Sequence, residues 1–181
     1  SKQELNPPII QGVQKVPLSH SDGALAPEES HSISTTNYTY YSVTRVVDGD
    51  TIVLSDKTKV RYIGIDTPET KHPKKPVQYF GKEASEANKK LVEGKKVRLE
   101  YDVQKTDKYK RTLAYVYLPI RDAQGKEDEI FVNAWLVEKG FARVSTYPPN
   151  VKYQEKFIEL ERKAREDQKG LWKKSDENIT K

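Results

Sequence analysis

The chain has 181 residues, and 35% of them are hydrophobic, which is enough for one modest core and does not call for a second domain. It has no cysteine, which excludes disulfides, thiolate metal sites and cysteine nucleophiles. Residues 1–36 contain two basic and four acidic residues, and the remaining residues contain 30 basic and 23 acidic residues. The net charge of the whole chain is +5. This basic remainder suits a polyanionic partner, and no apolar run approaches the roughly 18 residues of a transmembrane helix.

The first 36 residues differ in composition from the rest. They contain four prolines, two glycines and six serines but few large apolar groups. Such a composition cannot bury enough surface to offset the entropy of ordering. We therefore expect residues 1–36 to be a flexible leader, 37–174 to be the folded domain, and 175–181 to be a C-terminal tail.

Beyond the leader, apolar residues alternate with the period of β-strands. The first two strands are joined by an Asp48-Gly49 turn, which leaves Asp50 at the start of the second strand. Five short antiparallel strands indicate a small barrel. The predicted strands cover residues 39–47, 51–54, 60–65, 95–101 and 113–118.

Three segments have the spacing of helices. Phe80, Ala84, Ala87 and Leu91 form one apolar stripe that ends before Gly94. The other two predicted helices are 132–139, with Gly140 after its last turn, and the stripe of Tyr153, Phe157, Leu160 and Ala164. A strand meander with a helix between its third and fourth strands predicts an α+β fold of the OB type, whose open face commonly binds oligonucleotides.

Acidic side chains are concentrated near the first turn and after the third strand. Asp66 ends that strand, and Pro68 holds Thr67 in an extended conformation. Asp50, Asp66 and the Thr67 carbonyl would make an all-oxygen ligand set, which favours calcium or magnesium over zinc or copper, with calcium the better match for few, flexible ligands. Glu69 is three residues past Asp66, where a water-activating carboxylate belongs, although a surface glutamate in a turn is the simpler explanation.

Basic residues accompany these acids. Arg61 shares the strand face of two isoleucines, an environment that suggests either a structural ion pair or a charged ligand. Arg111 lies in a polar loop and, taken alone, would be a solvated turn residue. Two lysine-rich loops, which include Lys74, Lys75 and Lys108, could follow a phosphate backbone, and Tyr109 could stack on a base.

Taken together, these motifs resemble the thermonuclease (staphylococcal nuclease) family, over Ser42 to about Lys174. The resemblance is carried by Val47-Asp48-Gly49-Asp50-Thr51, by the unbroken run from Arg61 to Lys75, and by Asp107-Lys108-Tyr109-Lys110-Arg111. Two departures are Lys110, where the compared family member has glycine, and Ser145, where it has a tyrosine of the nucleotide pocket. Tyr147 keeps the second tyrosine of that pocket.

The resemblance implies a secreted or cell-surface, calcium-dependent endonuclease, with a signal peptide that is absent from this chain. It implies cleavage of DNA and RNA to 3′-phosphate ends with little sequence specificity. By the same resemblance, the side chains of Asp50 and Asp66 and the carbonyl of Thr67 bind calcium, Glu69 orients or deprotonates water, and Arg61 and Arg111 contact the scissile phosphate. A monomer is expected.

Two other functions remain open at this point. One is a nucleic-acid-binding OB module without catalysis, against which the retention of all three acids and both arginines argues. The other is a purely structural basic domain, for which calcium and nucleotide would not raise the melting temperature.

Overall fold

A computed structural model describes residues 38–70 and 78–173. In chain order, the strands are β1 Tyr40–Asp48, β2 Thr51–Leu54, β3 Lys59–Tyr62, β4 Ile65–Asp66, β5 Lys96–Glu100, β6 Thr112–Arg121, β7 Glu127–Phe131 and β8 Arg143–Val144. The helices are α1 Gly81–Val92, α2 Val132–Glu138 and α3 Gln154–Glu166, and a 3₁₀ turn covers Gly170–Trp172. The leader, the tail, Lys74 and Lys75 lie outside the described residues, so the predicted domain boundaries stay a prediction.

Five strands close into a barrel, which confirms the predicted OB-type α+β fold. β1 pairs with β2 and β5, and the chain of pairings continues from β2 to β3 and from β5 to β6. The barrel closes between β3 and β6, whose pairing is parallel, whereas the sequence pattern had predicted antiparallel strands throughout. Parallel closure follows from the odd number of strands, because four antiparallel pairings around a ring of five leave the last two strands running the same way.

The predicted third strand is divided in two. Gly64 has a φ of +78°, a left-handed conformation that ends the extended backbone after Tyr62. The chain resumes as β4, which leaves the barrel and pairs with β8. This break turns Asp66 and the residues after it away from the β3 ladder.

A hairpin extends the barrel beyond the predicted elements. β6 continues to Arg121 and pairs with β7 from Tyr117↔Phe131 to Arg121↔Glu127. The residues of β7 begin Glu127-Asp128-Glu129, so hydrophobic alternation provides no signal for them. Pairing with β6 supplies the backbone hydrogen bonds that stabilise this strand.

The core fills the barrel and the space under the helices. Tyr62, Tyr115 and Phe157 are its largest fully buried side chains. The Tyr62 hydroxyl donates to Asn88 Oδ1 at 3.0 Å, which satisfies a polar group that burial would otherwise make costly. Asn88 belongs to the buried face of α1, together with Gly81, Ala84 and Val92, so this face is rotated by about one residue from the predicted stripe.

None of the helices in the described ranges is long and apolar enough to cross a membrane.

Gly140 and Gly170 lie where the end of α2 contacts the 3₁₀ turn. Gly140 has a φ of +74°, and a Cβ built there would lie 2.3 Å from the carbonyl oxygen of Lys169. The Leu171 amide donates to the Gly140 carbonyl at 2.8 Å, so the two backbones are in direct contact. Any side chain at 140 would separate them.

We expect Gly140→Ala to destabilise the fold more than Gly94→Ala. Both glycines have positive φ, but a Cβ at Gly94 meets nothing within 4 Å. The left-handed conformation alone costs about 1–2 kcal/mol, and steric overlap at Gly140 adds about 1–3 kcal/mol. Urea unfolding of the two variants measures the difference, and equal midpoints would contradict the backbone contact.

Candidate active site

Asp50 is held in the turn between β1 and β2. Asp48 pairs with Thr51, so the turn residues are Gly49 and Asp50, one position later than the sequence indicated. The Asp50 side chain is buried, and its Oδ2 accepts hydrogen bonds from the Thr67 amide at 2.7 Å and the Thr67 hydroxyl at 2.9 Å. Thr51 Oγ1 donates to Oδ1 at 3.0 Å. A Cβ at Gly49 would lie 2.7 Å from Thr67 Oγ1, so glycine allows this close approach.

Arg61 bridges the two predicted metal-binding carboxylates. Its Nη1 lies 2.6 Å from Asp50 Oδ2, and its Nη2 donates to Asp66 Oδ1 at 2.7 Å. Nη1 is enclosed, yet its contact with Asp50 is ionic, with no hydrogen bond directed along an N–H. The Arg61 side chain is 17% exposed and that of Asp66 is 59% exposed, so the cluster is closed on one side and open to solvent on the other.

Two further carboxylates lie beside this pair. Asp48 Oδ1 accepts hydrogen bonds from the Gly49 amide at 2.9 Å and the Thr70 hydroxyl at 3.0 Å. The pKa of Asp48 is raised to about 6, mainly by burial and in part by contact with the Glu69 carboxyl. Burial also raises the pKa of Asp66, against the lowering effect of Arg61.

The donor set of this cluster fits a hard cation. Asp48, Asp50, Asp66 and Glu69 are close enough for their charges to interact, around the single guanidinium of Arg61. Carboxylate and carbonyl oxygens are the ligands that calcium prefers. Within residues 38–70 and 78–173, no three His, Asp or Glu side chains have the spacing of a preformed metal site. The identity of an ion is therefore a matter for proposal.

Arg111 is oriented by Asp107 in the loop before β6. Asp107 Oδ2 accepts from Arg111 Nε at 2.6 Å, and Oδ1 accepts from the backbone amides of Tyr109 and Arg111. These bonds hold the pKa of Asp107 below its usual value, against the effect of burial. Lys110 has a φ of +62°, so lysine adopts here the conformation that glycine favours.

The parallel seam of the barrel explains how two arginines fifty residues apart reach one cavity. Arg61 pairs with Leu113, which places Arg111 just before the partner of Arg61. Both arginines line a cavity of about 540 Å³, which we call the cleft. Its other lining residues include Lys108, Tyr109, Ser145, Tyr147, Pro148 and Asn150.

The structure thus brings the predicted site residues into two neighbouring groups. Asp50, Asp66, Thr67 and Glu69 form the acidic group, and Arg61 belongs to it and to the cleft. Arg111, Lys108, Tyr109 and Tyr147 line the cleft, and the two tyrosines are 68% and 75% exposed.

Three polar residues that the sequence analysis left out take part in this geometry. Asp48 contacts Glu69, Asp107 orients Arg111, and Asn150 joins two loops of the cleft. Only Asp48 and Asp107 had a signal, since both occur within the quoted motifs. Nothing in the sequence around Asn150 indicates its partner 46 positions away.

A small OB barrel with four carboxylates beside an arginine-lined cleft defines a site for an anionic ligand next to a cation. Comparison with known proteins agrees with this class. The family described as "Staphylococcal nuclease homologue" matches residues 59–174. The chain therefore belongs to the staphylococcal nuclease family.

Individual relatives are similar over most of the chain. A thermonuclease of Staphylococcus hyicus is 45% identical over 149 residues, which are 81% of this chain and 83% of the relative. A thermonuclease of Staphylococcus intermedius is 44% identical, over 74% of this chain and 76% of the relative. Endonuclease YncB of Bacillus subtilis is 41% identical, over 80% of this chain and 67% of the relative.

We expect the Asp48→Asn variant to be less sensitive to rising pH than the wild type in the absence of divalent cations. The folded protein binds the Asp48 proton more tightly than the unfolded chain does. The free energy of unfolding therefore falls as pH rises from 3.8 to about 6, and Asp48→Asn removes this contribution.

Thermal melts between pH 4 and 7.5 measure the effect. Asp56→Asn is the control, because the exposed Asp56 has a lowered pKa through its hydrogen bonds with Thr58, and its effect has the opposite sign. A wild type and an Asp48→Asn variant with parallel pH profiles would contradict the raised pKa.

Proposed function

We propose that this protein is a calcium-dependent endonuclease that hydrolyses the phosphodiester bonds of DNA and RNA, leaves 3′-phosphate ends and has little sequence specificity. One observation carries the proposal: Arg61 contacts Asp50 and Asp66, the two acids proposed to hold the cation, and it also lines the cleft that contains Arg111. A phosphate in the cleft would then adjoin a cation at the acids. Membership in the nuclease family, and relatives named thermonuclease and endonuclease, support the same reaction.

The proposed calcium ligands are the carboxylates of Asp50 and Asp66 and the carbonyl of Thr67. When bound, the ion would neutralise phosphate charge and polarise a water molecule. Asp50 needs little reorganisation, because Thr51 and Thr67 already fix its carboxylate. Asp66 is the more exposed ligand and can adjust to solvent or substrate. In this proposal, the cation takes over from Arg61 the compensation of the two acids, and the guanidinium becomes available for phosphate.

Glu69 is the proposed water-activating group. Its backbone is fixed on both sides, since its amide donates to Gln78 Oε1 and its carbonyl accepts from the Gln78 amide, each at 3.0 Å. Its carboxyl contacts Asp48, and its charge acts on Asp66. A carboxylate held at this position could accept a proton from a water molecule.

The two arginines are proposed to stabilise the pentacoordinate transition state. Arg61 Nη1 is enclosed and lies 2.6 Å from Asp50 Oδ2, so in this proposal it donates to a phosphate oxygen once a cation compensates Asp50. Asp107 accepts a hydrogen bond from Arg111 Nε, which fixes the plane of the guanidinium. In this proposal, the terminal nitrogens of Arg111 donate to a phosphate in the cleft. Such preorganised donors typically contribute about 3–4 kcal/mol each to transition-state stabilisation.

Base-independent binding is proposed for the aromatic and lysine residues. The exposed rings of Tyr109 and Tyr147 offer stacking surfaces that do not distinguish bases. Lys108 lines the cleft, and the lysine-rich loop that includes Lys74 and Lys75 is proposed to follow the phosphate backbone as well. We also propose a monomer, and by the family resemblance a protein that acts outside the cell or at its surface.

The test of this function is digestion of denatured DNA and of RNA with calcium, with magnesium and with chelator. We expect cutting with calcium alone and 3′-phosphate ends in an end-group analysis. Fragments with 5′-phosphate ends would contradict the proposal that cleavage leaves 3′-phosphates. Retained binding without cutting would favour the non-catalytic OB module.

We expect Glu69→Gln to lower kcat on denatured DNA by at least about a hundredfold, because the amide cannot accept a proton from water. KM should change by less than about threefold, since the cation ligands and arginines remain. Steady-state kinetics with Glu86→Gln, an exposed substitution on α1, provide the control. An unchanged kcat would remove Glu69 from water activation.

A further inference from the structure

Two loops line the cleft. The first, residues 101–111, carries Lys108, Tyr109 and Arg111, and the second, residues 145–151, carries Ser145 and Tyr147. Each loop is closed on itself, by the Thr106↔Thr112 bridge in the first and the Tyr147↔Asn150 bridge in the second. No strand pairing joins the loops to each other in the described part of the chain. The distance between the loops therefore depends on side chains.

Asn150 makes a direct connection between these loops, next to Asp102 of the first loop, whose Oδ2 accepts from the Lys152 amide at 3.2 Å. Its Oδ1 accepts from the Gln104 amide at 2.7 Å, and its Nδ2 donates to the Gln104 carbonyl at 2.8 Å. The Asn150 side-chain amide thus pairs with both backbone polar groups of Gln104, as the backbone of a neighbouring strand would. Asn150 is 5% exposed, so water competes little for these bonds.

The first loop transmits this contact toward the cleft. Gln104 Nε2 donates to the Thr106 carbonyl at 2.7 Å, and the Leu113 amide donates to the Lys105 carbonyl at 2.8 Å. On the other side, the Asn150 amide donates to the Tyr147 carbonyl at 3.1 Å. Asn150 is therefore bonded directly to the backbone of Tyr147 and, through Gln104, to Thr106 in the loop that carries Tyr109.

We infer that Asn150 is a positioning residue for the substrate: its paired hydrogen bonds with Gln104 set the separation of Tyr109 and Tyr147, between which a single-stranded nucleic acid binds. This inference rests on the proposed function for the identity of the ligand. Asparagine is required because the site needs one donor and one acceptor in one plane. Aspartate has the same shape but would place a carboxylate oxygen against the Gln104 carbonyl.

The test measures binding apart from cleavage. Fluorescence anisotropy with a labelled single-stranded phosphorothioate oligonucleotide, in chelator, gives Kd for the wild type and for Asn150→Asp. We expect the variant to bind about tenfold more weakly. The milder Asn150→Ser, which keeps a hydroxyl, should lie between them and serves if Asn150→Asp does not fold.

Asn133→Asp is the matched control. Asn133 is fully buried and pairs in the same way, accepting from the Val116 amide and donating to the Ile63 carbonyl, both at 2.9 Å. It loses the same donor without joining the two loops. We expect it to change Kd by less than about twofold at temperatures where circular dichroism shows it folded, and an effect equal to that of Asn150→Asp would overturn the inference.

A double-mutant cycle with Tyr147→Ala separates positioning from general stability. Tyr147 is largely exposed, so its truncation leaves the core intact. If Asn150 acts through Tyr109 and Tyr147, Asn150→Asp should weaken binding by less than about twofold in the Tyr147→Ala background. A full tenfold effect in that background would overturn the inference.

The outcomes distinguish this inference from the proposed function. A wild type that binds the oligonucleotide but cuts no nucleic acid overturns the function alone. A wild type that cuts nucleic acid, while Asn150→Asp binds as tightly as the wild type, overturns the positioning role alone.

Discussion

The contact of one guanidinium with two carboxylates is the interaction on which the candidate site depends. Arg61 reaches Asp50 and Asp66 from a side chain that is only 17% exposed, and Asp48 and Glu69 interact with these two acids. The pKa of Asp48 is raised first by burial and then by its contact with Glu69 and the charge of Asp50. Arg61 compensates part of this negative charge, and the calcium proposal assigns a further share to a cation.

The barrel places this cluster beside the arginine-lined cleft of about 540 Å³ through a single feature of its topology. Parallel pairing of β3 with β6 sets Arg61 against Leu113 and brings the Asp107–Arg111 loop to the same seam. The break at Gly64 then lets β4 leave the barrel and carry Asp66 toward Arg61. Closure of the barrel thus brings the loop before β6 to an acidic group whose own residues are held together by contacts within residues 48–70.

Short-range chemistry accounts for what could be predicted along the chain. Alternation identified the five barrel strands, and the stripe of Tyr153, Phe157, Leu160 and Ala164 identified α3, since these patterns repeat within a few residues. β7 was missed because Glu127, Asp128 and Glu129 are stabilised as a strand by pairing with β6 and not by their own hydrophobicity. The break of the third strand at Gly64 was missed because a glycine within an alternating run does not itself indicate positive φ.

By itself, the sequence determined the fold class, the family and the identity of the chemical groups, because Asp50, Asp66, Glu69, Arg61 and Arg111 occur in continuous motifs. Only the tertiary structure decided how these groups are paired: Asp50 with Thr67, Asp48 with Glu69, and Asn150 with Gln104. Those partners are separated by 17 to 46 positions. Their pairing depends on barrel closure and burial, which place distant polar groups where each must satisfy another.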